Sequence, residues 1–290
     1  MGQSLFESCQ IEHSPSSWHS RVLSYIERCH LEDGGYFFAR IPPSSGTDTY
    51  FAVKSLSFLR VKPQNPEAVV NFFLNQMKEG TIGGITGIFN AVEVTNELDQ
   101  LTDDFRRYIP RILGLQNKAG GFGSVKNLYV EVTSALEQTY QATRVLKILG
   151  ADFGQLKISR FVASFLNADG GYGRGRRSTL ASTFYATEIL KLLHDNTRKL
   201  ISTKTYLKAR EADWRANFEG GKVDFIENLY WLVSGLSNLG EKSVTPEEVV
   251  SFVLGCQRQN GGFARAVVMG IPTLEYTFYA VSVLREIGIL

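Results

Sequence analysis

Three arginines, Arg174, Arg176 and Arg177, lie in and after a glycine-rich turn at residues 170–175, just ahead of a predicted helix. A guanidinium group presents a fork of N–H donors that matches phosphate oxygens, and the free N–H groups at a helix amino terminus bind the same kind of group. This pattern predicts a site for a diphosphate. The other interpretation is a solvated basic loop, and the sequence leaves both open.

Aromatic side chains recur near the starts of one class of predicted helices. They are Tyr50, Phe89, Tyr140, Phe184, Tyr230 and Phe278. Rings that face a cavity present the negative faces of their π systems, and these faces attract positive charge. Core packing would place aromatic rings at the same positions. The pattern therefore predicts either a substrate-binding aromatic cavity or a packed core.

A repeat of 37 to 50 residues positions these groups along the chain. Six glycine pairs, each after a predicted amphipathic helix, begin at Gly34, Gly83, Gly120, Gly170, Gly220 and Gly261. A second signature of threonine, aromatic and small residues follows in most units, around Thr49, Thr139, Thr183 and Thr277. Self-similarity at a fixed spacing indicates a repeat architecture. We predict six helical hairpins.

The helices of each hairpin differ in character. Asn65 before Pro66 is a helix start, because the asparagine side chain caps the first turn and proline fits the first helical position. The second helix of each unit is apolar on most sides, which predicts that it is enclosed. The last unit ends in apolar residues 287–290, and this favours burial against the first unit. These features predict an all-α fold closed into an α6–α6 barrel.

The bulk properties are those of an ordinary globular protein. The chain has 290 residues, 43% hydrophobic, 21% charged and with a net charge of +2, which does not favour a nucleic-acid partner. Three isolated cysteines and no signal-like or membrane-spanning apolar run favour a soluble cytoplasmic protein. We predict an amino-terminal extension at residues 1–17 and a single domain at 18–290.

The combined motif carries a family resemblance. Gln116 and Gln257 each stand four residues before a glycine pair, and an aromatic residue and a Thr-aromatic-x-Ala helix follow. This resembles the repeat of protein prenyltransferase β subunits and of squalene and terpene cyclases, over residues 18–290. The resemblance implies an α/α toroid with a central aromatic cavity for an isoprenoid chain. It also implies a helical partner like the α subunit of the prenyltransferases.

The resemblance extends to the segment that holds catalytic zinc in the β subunits. Residues 223–230 look like the part that carries the zinc-binding histidine, and Glu227 stands at that position. Ala181 and Thr183 stand where an aspartate and a cysteine are expected. Catalytic zinc requires three protein ligands, so this comparison predicts that the chain holds no zinc. Glu227 becomes a candidate catalytic carboxylate.

The cyclases of this superfamily use an Asp-x-Asp-Asp-Thr motif whose middle aspartate protonates an alkene. This chain lacks that string. Aligned on the threonine, Glu137 and Glu275 take the middle position of their units, and Asp48 takes the last aspartate position. Glu137 and Asp48 are therefore candidate catalytic acids. Alternatively, these carboxylates stabilise the first turns of helices.

Three functions fit this sequence. The first is an enzyme that binds or converts a prenyl diphosphate, of the terpene cyclase type or of a prenyltransferase type without zinc, with Mg²⁺ accompanying the diphosphate. The second is a non-catalytic toroid that binds lipid or serves as an interaction scaffold. The third is a β-like subunit that requires an α-like partner. The arginines and the many aromatics favour the first.

Overall fold

Twelve α-helices alternate between an outer and an inner position in the computed structural model, which describes residues 15–123, 132–194, 200–243 and 246–290. The outer helices are α1 (Pro15–Glu27), α3 (Pro66–Glu79), α5 (Tyr108–Leu113), α7 (Gln155–Ala163), α9 (Ile201–Glu219) and α11 (Pro246–Gly255). The inner helices are α2 (Gly46–Phe58), α4 (Gly84–Glu97), α6 (Val132–Ile148), α8 (Leu180–Leu192), α10 (Ile226–Asn238) and α12 (Leu274–Glu286). A 3-10 helix, Asp103–Arg107, precedes α5, and the antiparallel strands β1 (Gly173–Arg174) and β2 (Arg177–Ser178) precede α8.

The inner helices form a closed ring. Each packs against the inner helices of the units before and after it, and α12 packs against α2. The all-α toroid of six helical hairpins predicted from the sequence is therefore confirmed. Ring closure gives every inner helix two inner neighbours and an outer helix, which explains why these helices are apolar on most sides.

Side-chain caps fix where several of these helices begin. Asn65 caps α3 as predicted, since its side chain accepts a hydrogen bond from the N–H of Ala68 at 3.0 Å. Ser45, Thr179 and Thr273 cap α2, α8 and α12 in the same way. Each cap satisfies one of the N–H groups that the first helical turn leaves without a partner.

Four of the glycine pairs dock one unit onto the next. The first glycine of each, Gly34, Gly120, Gly170 or Gly261, has φ between +87° and +102°. A Cβ atom there would lie 2.0–2.4 Å from a carbonyl oxygen of the next outer helix, at Ala68, Lys157, Ser202 and Arg21 respectively. Only glycine combines this backbone conformation with so close an approach.

The threonine signature supports the same turns. The N–H groups of the aromatics behind the four pairs, Tyr36, Phe122, Tyr172 and Phe263, donate to Oγ1 of Thr49, Thr139, Thr183 and Thr277 at 2.9–3.2 Å. Each threonine hydroxyl donates in turn to the carbonyl four residues earlier, at 2.7 Å. The two sequence signatures are thus the two halves of one hydrogen-bonded unit.

The pairs at Gly83 and Gly220 differ from the other four. Gly83 is the amino-terminal cap residue of α4, and Gly220 follows the last turn of α9. A Cβ atom on Gly84 or Gly221 would meet nothing within 4 Å. These pairs begin and end helices, and they do not dock a neighbouring unit. Neither has an aromatic residue directly behind it, and that difference was visible in the sequence.

The turn at Gly261 closes the ring on α1. Arg21 donates to the carbonyl of Arg258 at 2.7 Å, and Gln257 donates to the carbonyl of Trp18 at 3.1 Å. The hydroxyl of Tyr25 donates to the carbonyl of Pro272 at 3.0 Å. The last unit is therefore held against the first by backbone carbonyls as well as by apolar packing.

The described part of the chain begins within the extension predicted at residues 1–17. Helix α1 begins at Pro15, whereas the extension was predicted to run through residue 17. The rest of that extension, residues 1–14, lies outside the described residues. No helix in the described ranges is long and apolar enough to cross a membrane.

Candidate functional site

A belt of aromatic rings crosses the lumen of the barrel. We define the aromatic belt as one ring from each inner helix together with Tyr185: Tyr50, Phe89, Tyr140, Phe184, Tyr185, Tyr230 and Phe278. Ring centroids lie 5.1 Å apart for Tyr50 and Phe89, 5.9 Å for Phe89 and Tyr140, and 5.7 Å for Tyr230 and Phe278. Tyr185 bridges Tyr140 and Phe184, at 5.9 and 5.1 Å. Phe278 and Tyr50, at 6.1 Å, complete the circuit.

The belt divides the lumen into two cavities. The amino-terminal cavity, at the starts of the inner helices, has a volume of about 260 Å³. The carboxyl-terminal cavity, at their ends, has a volume of about 240 Å³. Rings of the belt line both. Each cavity is smaller than the roughly 300–1,000 Å³ of most ligand pockets, so a long chain requires rings to rotate.

Three carboxylates line the amino-terminal cavity: Asp48 of α2, Glu137 of α6 and Glu275 of α12. Phe38 donates its N–H to Asp48 at 3.1 Å, and the Tyr279 hydroxyl donates to Glu275 at 2.8 Å. The Tyr185 hydroxyl donates to Glu137. Asp48 and Glu275 lie in first turns, as the structural interpretation of the sequence expected, whereas Glu137 lies in the second turn of α6.

Burial changes the acidity of two of these groups. It raises the pKa of Asp48, with a smaller opposing effect of the Phe38 N–H and a further increase from the charge of Glu275. It also raises the pKa of Glu137, against the hydrogen bond from Tyr185 and together with repulsion from Glu275. Raised pKa values make both carboxyls weaker acids than usual. This opposes protonation of an alkene, which requires a strong acid.

The carboxyl-terminal cavity is lined by charges of both signs. The four cations are Lys54, Arg144, Lys191 and Arg285, and the three carboxylates are Glu93, Glu188 and Glu286. Lys54 and Arg144 both pair with Glu93. Lys191 and Glu188 are joined through Asn238, at 3.0 and 2.7 Å. The cations exceed the carboxylates by one, so this cavity, unlike the amino-terminal one, has a slight excess of positive charge.

Arg174, Arg176 and Arg177 lie on the β1–β2 hairpin and are exposed. The hairpin directly precedes α8, so it lies at the same end of the barrel as the amino-terminal cavity. None of the three arginines is among the described residues that line either cavity. The hairpin therefore offers positive charge beside the cavity but not inside it, and the diphosphate site stays a prediction.

Glu227 is bound to an arginine of the next unit. Glu227 is 8% exposed, and its carboxylate accepts hydrogen bonds from Arg265, with Nε at 2.6 Å from Oε1. The guanidinium of Arg265 also lies over the ring of Phe225, 4.0 Å from its centroid. Glu227 lines neither cavity, so the structure does not bring it together with Glu137 and Asp48.

The residues at the expected zinc positions do not fit the metal. Ala181 has no ligand atom, and the hydroxyl of Thr183 is engaged with the N–H of Tyr172 and the carbonyl of Thr179. Glu227 is held by Arg265. Zinc needs three nitrogen, sulfur or oxygen ligands from the protein, and these positions provide at most one. Across the part of the chain that the structure describes, no three His, Cys, Asp or Glu side chains converge on a common point.

We expect Arg265→Met to lower the free energy of unfolding by about 2 kcal/mol, because it leaves the buried carboxylate of Glu227 without its partner. Urea denaturation would measure the change. Arg176→Met, at an exposed arginine, is the control and should stay within about 0.5 kcal/mol of the unchanged protein. Equal effects of the two substitutions would contradict this interpretation of the ion pair.

Several residues of the site were not among the predicted ones. Tyr185 and Tyr279 directly follow belt rings in the sequence, and Phe51 follows Tyr50 in the same way. Consecutive side chains of an α-helix point in directions about 100° apart. Two adjacent side chains therefore both reach the lumen when the direction midway between them points to the centre of the ring. The repeated aromatic pair within the threonine signature was the signal that could have identified them.

Comparisons with known proteins agree with this architecture. The family model described as the prenyltransferase alpha-alpha toroid domain matches residues 4–100, 88–221 and 202–288. Among solved structures, Candida albicans protein geranylgeranyltransferase-I complexed with GGPP is similar, with a TM-score of 0.68 and 18% sequence identity. That match covers 92% of this chain and 90% of the other. No curated protein sequence matches significantly.

Proposed function

Because the chain belongs to the prenyltransferase α/α toroid family, we propose that it binds an isoprenoid diphosphate, with the hydrocarbon chain on the aromatic belt. The observation that supports this best is the belt itself, which gathers rings from all six inner helices around the amino-terminal cavity. Aromatic rings provide a large apolar contact area with little loss of conformational freedom. A branched, unsaturated chain suits such a surface.

The ligand class is supported by the fold neighbour. The Candida albicans enzyme is described as complexed with GGPP, which is an isoprenoid diphosphate. At 18% identity the likeness extends to the fold, so this ligand is a hypothesis for the present chain. An isoprenoid ligand agrees with the aromatic belt, because the hypothesis places the hydrocarbon chain against these rings.

The charges decide where a diphosphate would lie. The amino-terminal cavity contains three carboxylates, which would repel it. The hairpin with Arg174, Arg176 and Arg177 lies at the same end and offers donors suited to phosphate oxygens. We therefore place the chain inside the cavity and the diphosphate at the hairpin. Mg²⁺ would accompany the diphosphate as its counter-ion.

The chemistry available to this site is restricted. A zinc-activated thiolate is not supported, since the residues at those positions do not fit the metal. Acid-initiated cyclisation is disfavoured, because the pKa values of Asp48 and Glu137 are raised. A carboxylate with a raised pKa is a better base, so Asp48 and Glu137 are both candidates to accept a proton in any conversion here.

Binding of geranyl, farnesyl and geranylgeranyl diphosphates with Mg²⁺, measured by calorimetry and followed by product analysis, tests the proposal. We expect Arg176→Glu to raise the Kd at least about tenfold, since a charge-assisted hydrogen bond contributes roughly 1.5–3 kcal/mol. Lys118→Glu makes the same charge change at an exposed residue of another glycine turn, and we expect it to leave the Kd within about twofold. Absence of binding by the unchanged protein would exclude the proposal.

A second candidate is a toroid without catalytic activity. It is favoured by the tight ring-to-ring contacts of the belt and by cavities below the usual ligand size. Binding without any product would support this alternative, and product formation would exclude it. We also propose that the chain has a helical partner similar to the α subunit of the prenyltransferases. Co-purification from the native host tests for this partner.

A further inference from the structure

Six large apolar side chains are exposed at the amino-terminal ends of three neighbouring inner helices, α10, α12 and α2. They lie in the segments directly before these helices, at residues 222–225, 265–273 and 38–45. We define the apolar rim as Ile41, Val223, Val267, Val268, Met269 and Ile271, which are 44–75% exposed. The described residues include eleven exposed large apolar side chains, so these short segments hold more than half of them. Such a concentration marks a surface that binds a partner or a membrane.

Contacts between the three segments place the rim on one side of the barrel mouth. The N–H of Ile226 donates to the carbonyl of Arg265 at 2.9 Å, which joins the segment before α10 to the one before α12. Tyr25 joins the segments before α12 and α2. Its hydroxyl donates to the carbonyl of Pro272 at 3.0 Å, and the guanidinium of Arg40 lies 6.0 Å from its ring centroid. The apolar rim is therefore held together by the fold.

The most exposed part of the rim satisfies its own backbone carbonyls. The guanidinium of Arg258 donates to the carbonyls of Ala266, Val267 and Met269, at 2.7, 2.9 and 3.1 Å. The N–H of Ala266 donates to the same Met269 carbonyl at 3.3 Å. Lipid offers no hydrogen bonds to backbone that enters its apolar region, so an inserting loop must satisfy these groups from within the protein. A protein partner makes about one hydrogen bond per 100–200 Å² and would use such carbonyls itself.

The surroundings of the rim are positively charged. The β1–β2 hairpin precedes α8, which packs against α10, so it lies beside the three segments. Residues 172–179 and the three segments together contain six cations and one carboxylate: Arg40, Arg174, Arg176, Arg177, Lys222 and Arg265, and Asp224. Glu227 compensates only Arg265. Basic residues next to exposed apolar side chains are attracted to anionic lipid head groups.

We propose that this end of the barrel docks on the surface of an anionic phospholipid bilayer. The apolar rim enters the boundary between head groups and acyl chains, and the neighbouring cations contact the lipid head groups. Phe38 and Thr273, from two of the same segments, line the amino-terminal cavity, so that cavity lies next to the docked surface. Docking rests on the exposed side chains, the satisfied carbonyls and the charges, and it does not depend on the proposed function.

Flotation of the full chain with lipid vesicles, without any prenyl ligand, tests the proposal. We expect vesicles of phosphatidylcholine with about one-third phosphatidylserine to carry the protein, because their surface is negative. Vesicles of phosphatidylcholine alone should bind at least about tenfold more weakly, since several cations act together at an anionic surface. Added salt should weaken binding to the anionic vesicles, because it screens exposed charges.

Two double variants assign the binding to the rim. Val268→Ser/Met269→Ser should weaken binding to the anionic vesicles at least about tenfold, because it removes two apolar side chains from the bilayer. Val61→Ser/Ile289→Ser is the matched control. These residues are 36% and 46% exposed, and each stands three positions after the carboxyl-terminal end of α2 or α12, at the other end of the same helices. The control should bind within about twofold of the unchanged protein, since apolar residues exposed singly are ordinary.

A direct measurement of insertion keeps the test decisive if the double variant loses its fold. Val268→Trp introduces an indole at the most exposed position of the rim, which is 75% exposed. Brominated phospholipid in the vesicles should quench its fluorescence well beyond the quenching seen with the unchanged protein. Ile289→Trp, at the opposite end of α12, is the control and should show no such increase.

Each outcome supports or overturns the proposal. Failure of the unchanged protein to bind anionic vesicles would overturn it, and self-association that Val268→Ser/Met269→Ser abolishes would then assign the rim to a second copy of the chain. Vesicle binding that survives Val268→Ser/Met269→Ser, or equal quenching of the two tryptophan variants, would overturn the assigned surface. Vesicle binding without prenyl diphosphate binding would support docking and overturn only the proposed function, and the converse result would overturn only docking.

Discussion

Gly261→Ala should lower the free energy of unfolding by about 3–5 kcal/mol. The new Cβ atom would lie 2.0 Å from the carbonyl oxygen of Arg21, and the residue would keep φ near +91°, a conformation that alanine rarely adopts. Backbone strain and overpacking each cost roughly 1–3 kcal/mol. Relief of the clash must move the turn away from α1, which opens the ring where its last unit meets its first.

Gly288→Ala is the matched control for this prediction. Gly288 has φ +82°, and its Cβ atom would meet nothing within 4 Å, so the substitution retains the strain and removes the clash. We expect it to cost only about 1–2 kcal/mol. Chemical denaturation measures both variants, and hydrogen exchange in α1 reports opening of the ring. Equal destabilisation by the two substitutions would show that the contact with Arg21 does not hold the ring closed.

Phe278→Ala should lower the free energy of unfolding by about 3–5 kcal/mol, the usual cost of removing a buried phenylalanine ring. Phe278 is 5% exposed and lines both cavities. Its ring contacts those of Tyr50, Phe51, Phe58, Tyr230 and Tyr279, with centroids 5.3–6.1 Å apart. Removal of this ring breaks the belt and connects the two cavities, whose volumes are about 260 and 240 Å³.

The same substitution should change ligand selectivity. A continuous lumen admits a longer chain, so we expect geranylgeranyl diphosphate to gain affinity relative to geranyl diphosphate. Phe38→Ala is the control, since Phe38 lines the amino-terminal cavity without belonging to the belt. We expect it to leave the ratio of the two affinities unchanged. Calorimetry and thermal denaturation of both variants test these expectations, and an unchanged ratio in Phe278→Ala would mean that the belt does not limit chain length.

Much of the architecture was predictable because its determinants are local. The cap at Asn65, the apolar character of the inner helices and the spacing of the threonine signature all depend on residues a few positions apart. Four of the belt rings were predictable for the same reason, since Tyr50, Tyr140, Phe184 and Phe278 each directly follow the threonine of their own repeat. Whether those rings enclose a cavity or pack together was not predictable, and the structure shows that they do both.

The ion pair of Glu227 could not be predicted from local sequence patterns. Alignment placed Glu227 at a metal-ligand position and predicted a catalytic carboxylate. Its partner, Arg265, belongs to the next unit and reaches it only when the two units pack together. The same limit applies to Glu275, on the last inner helix, which lies near Asp48 of the first inner helix because the ring closes.

The sequence by itself determined the repeat, the helices and the glycine turns that follow them, because these follow from backbone conformation and short-range hydrogen bonding. The tertiary structure alone decided which charges meet. It paired Glu227 with Arg265, collected Asp48, Glu137 and Glu275 in one cavity, and left the three hairpin arginines outside that cavity. Electrostatic interactions depend on distance through space and on exclusion of water, and both are fixed only when the ring has closed.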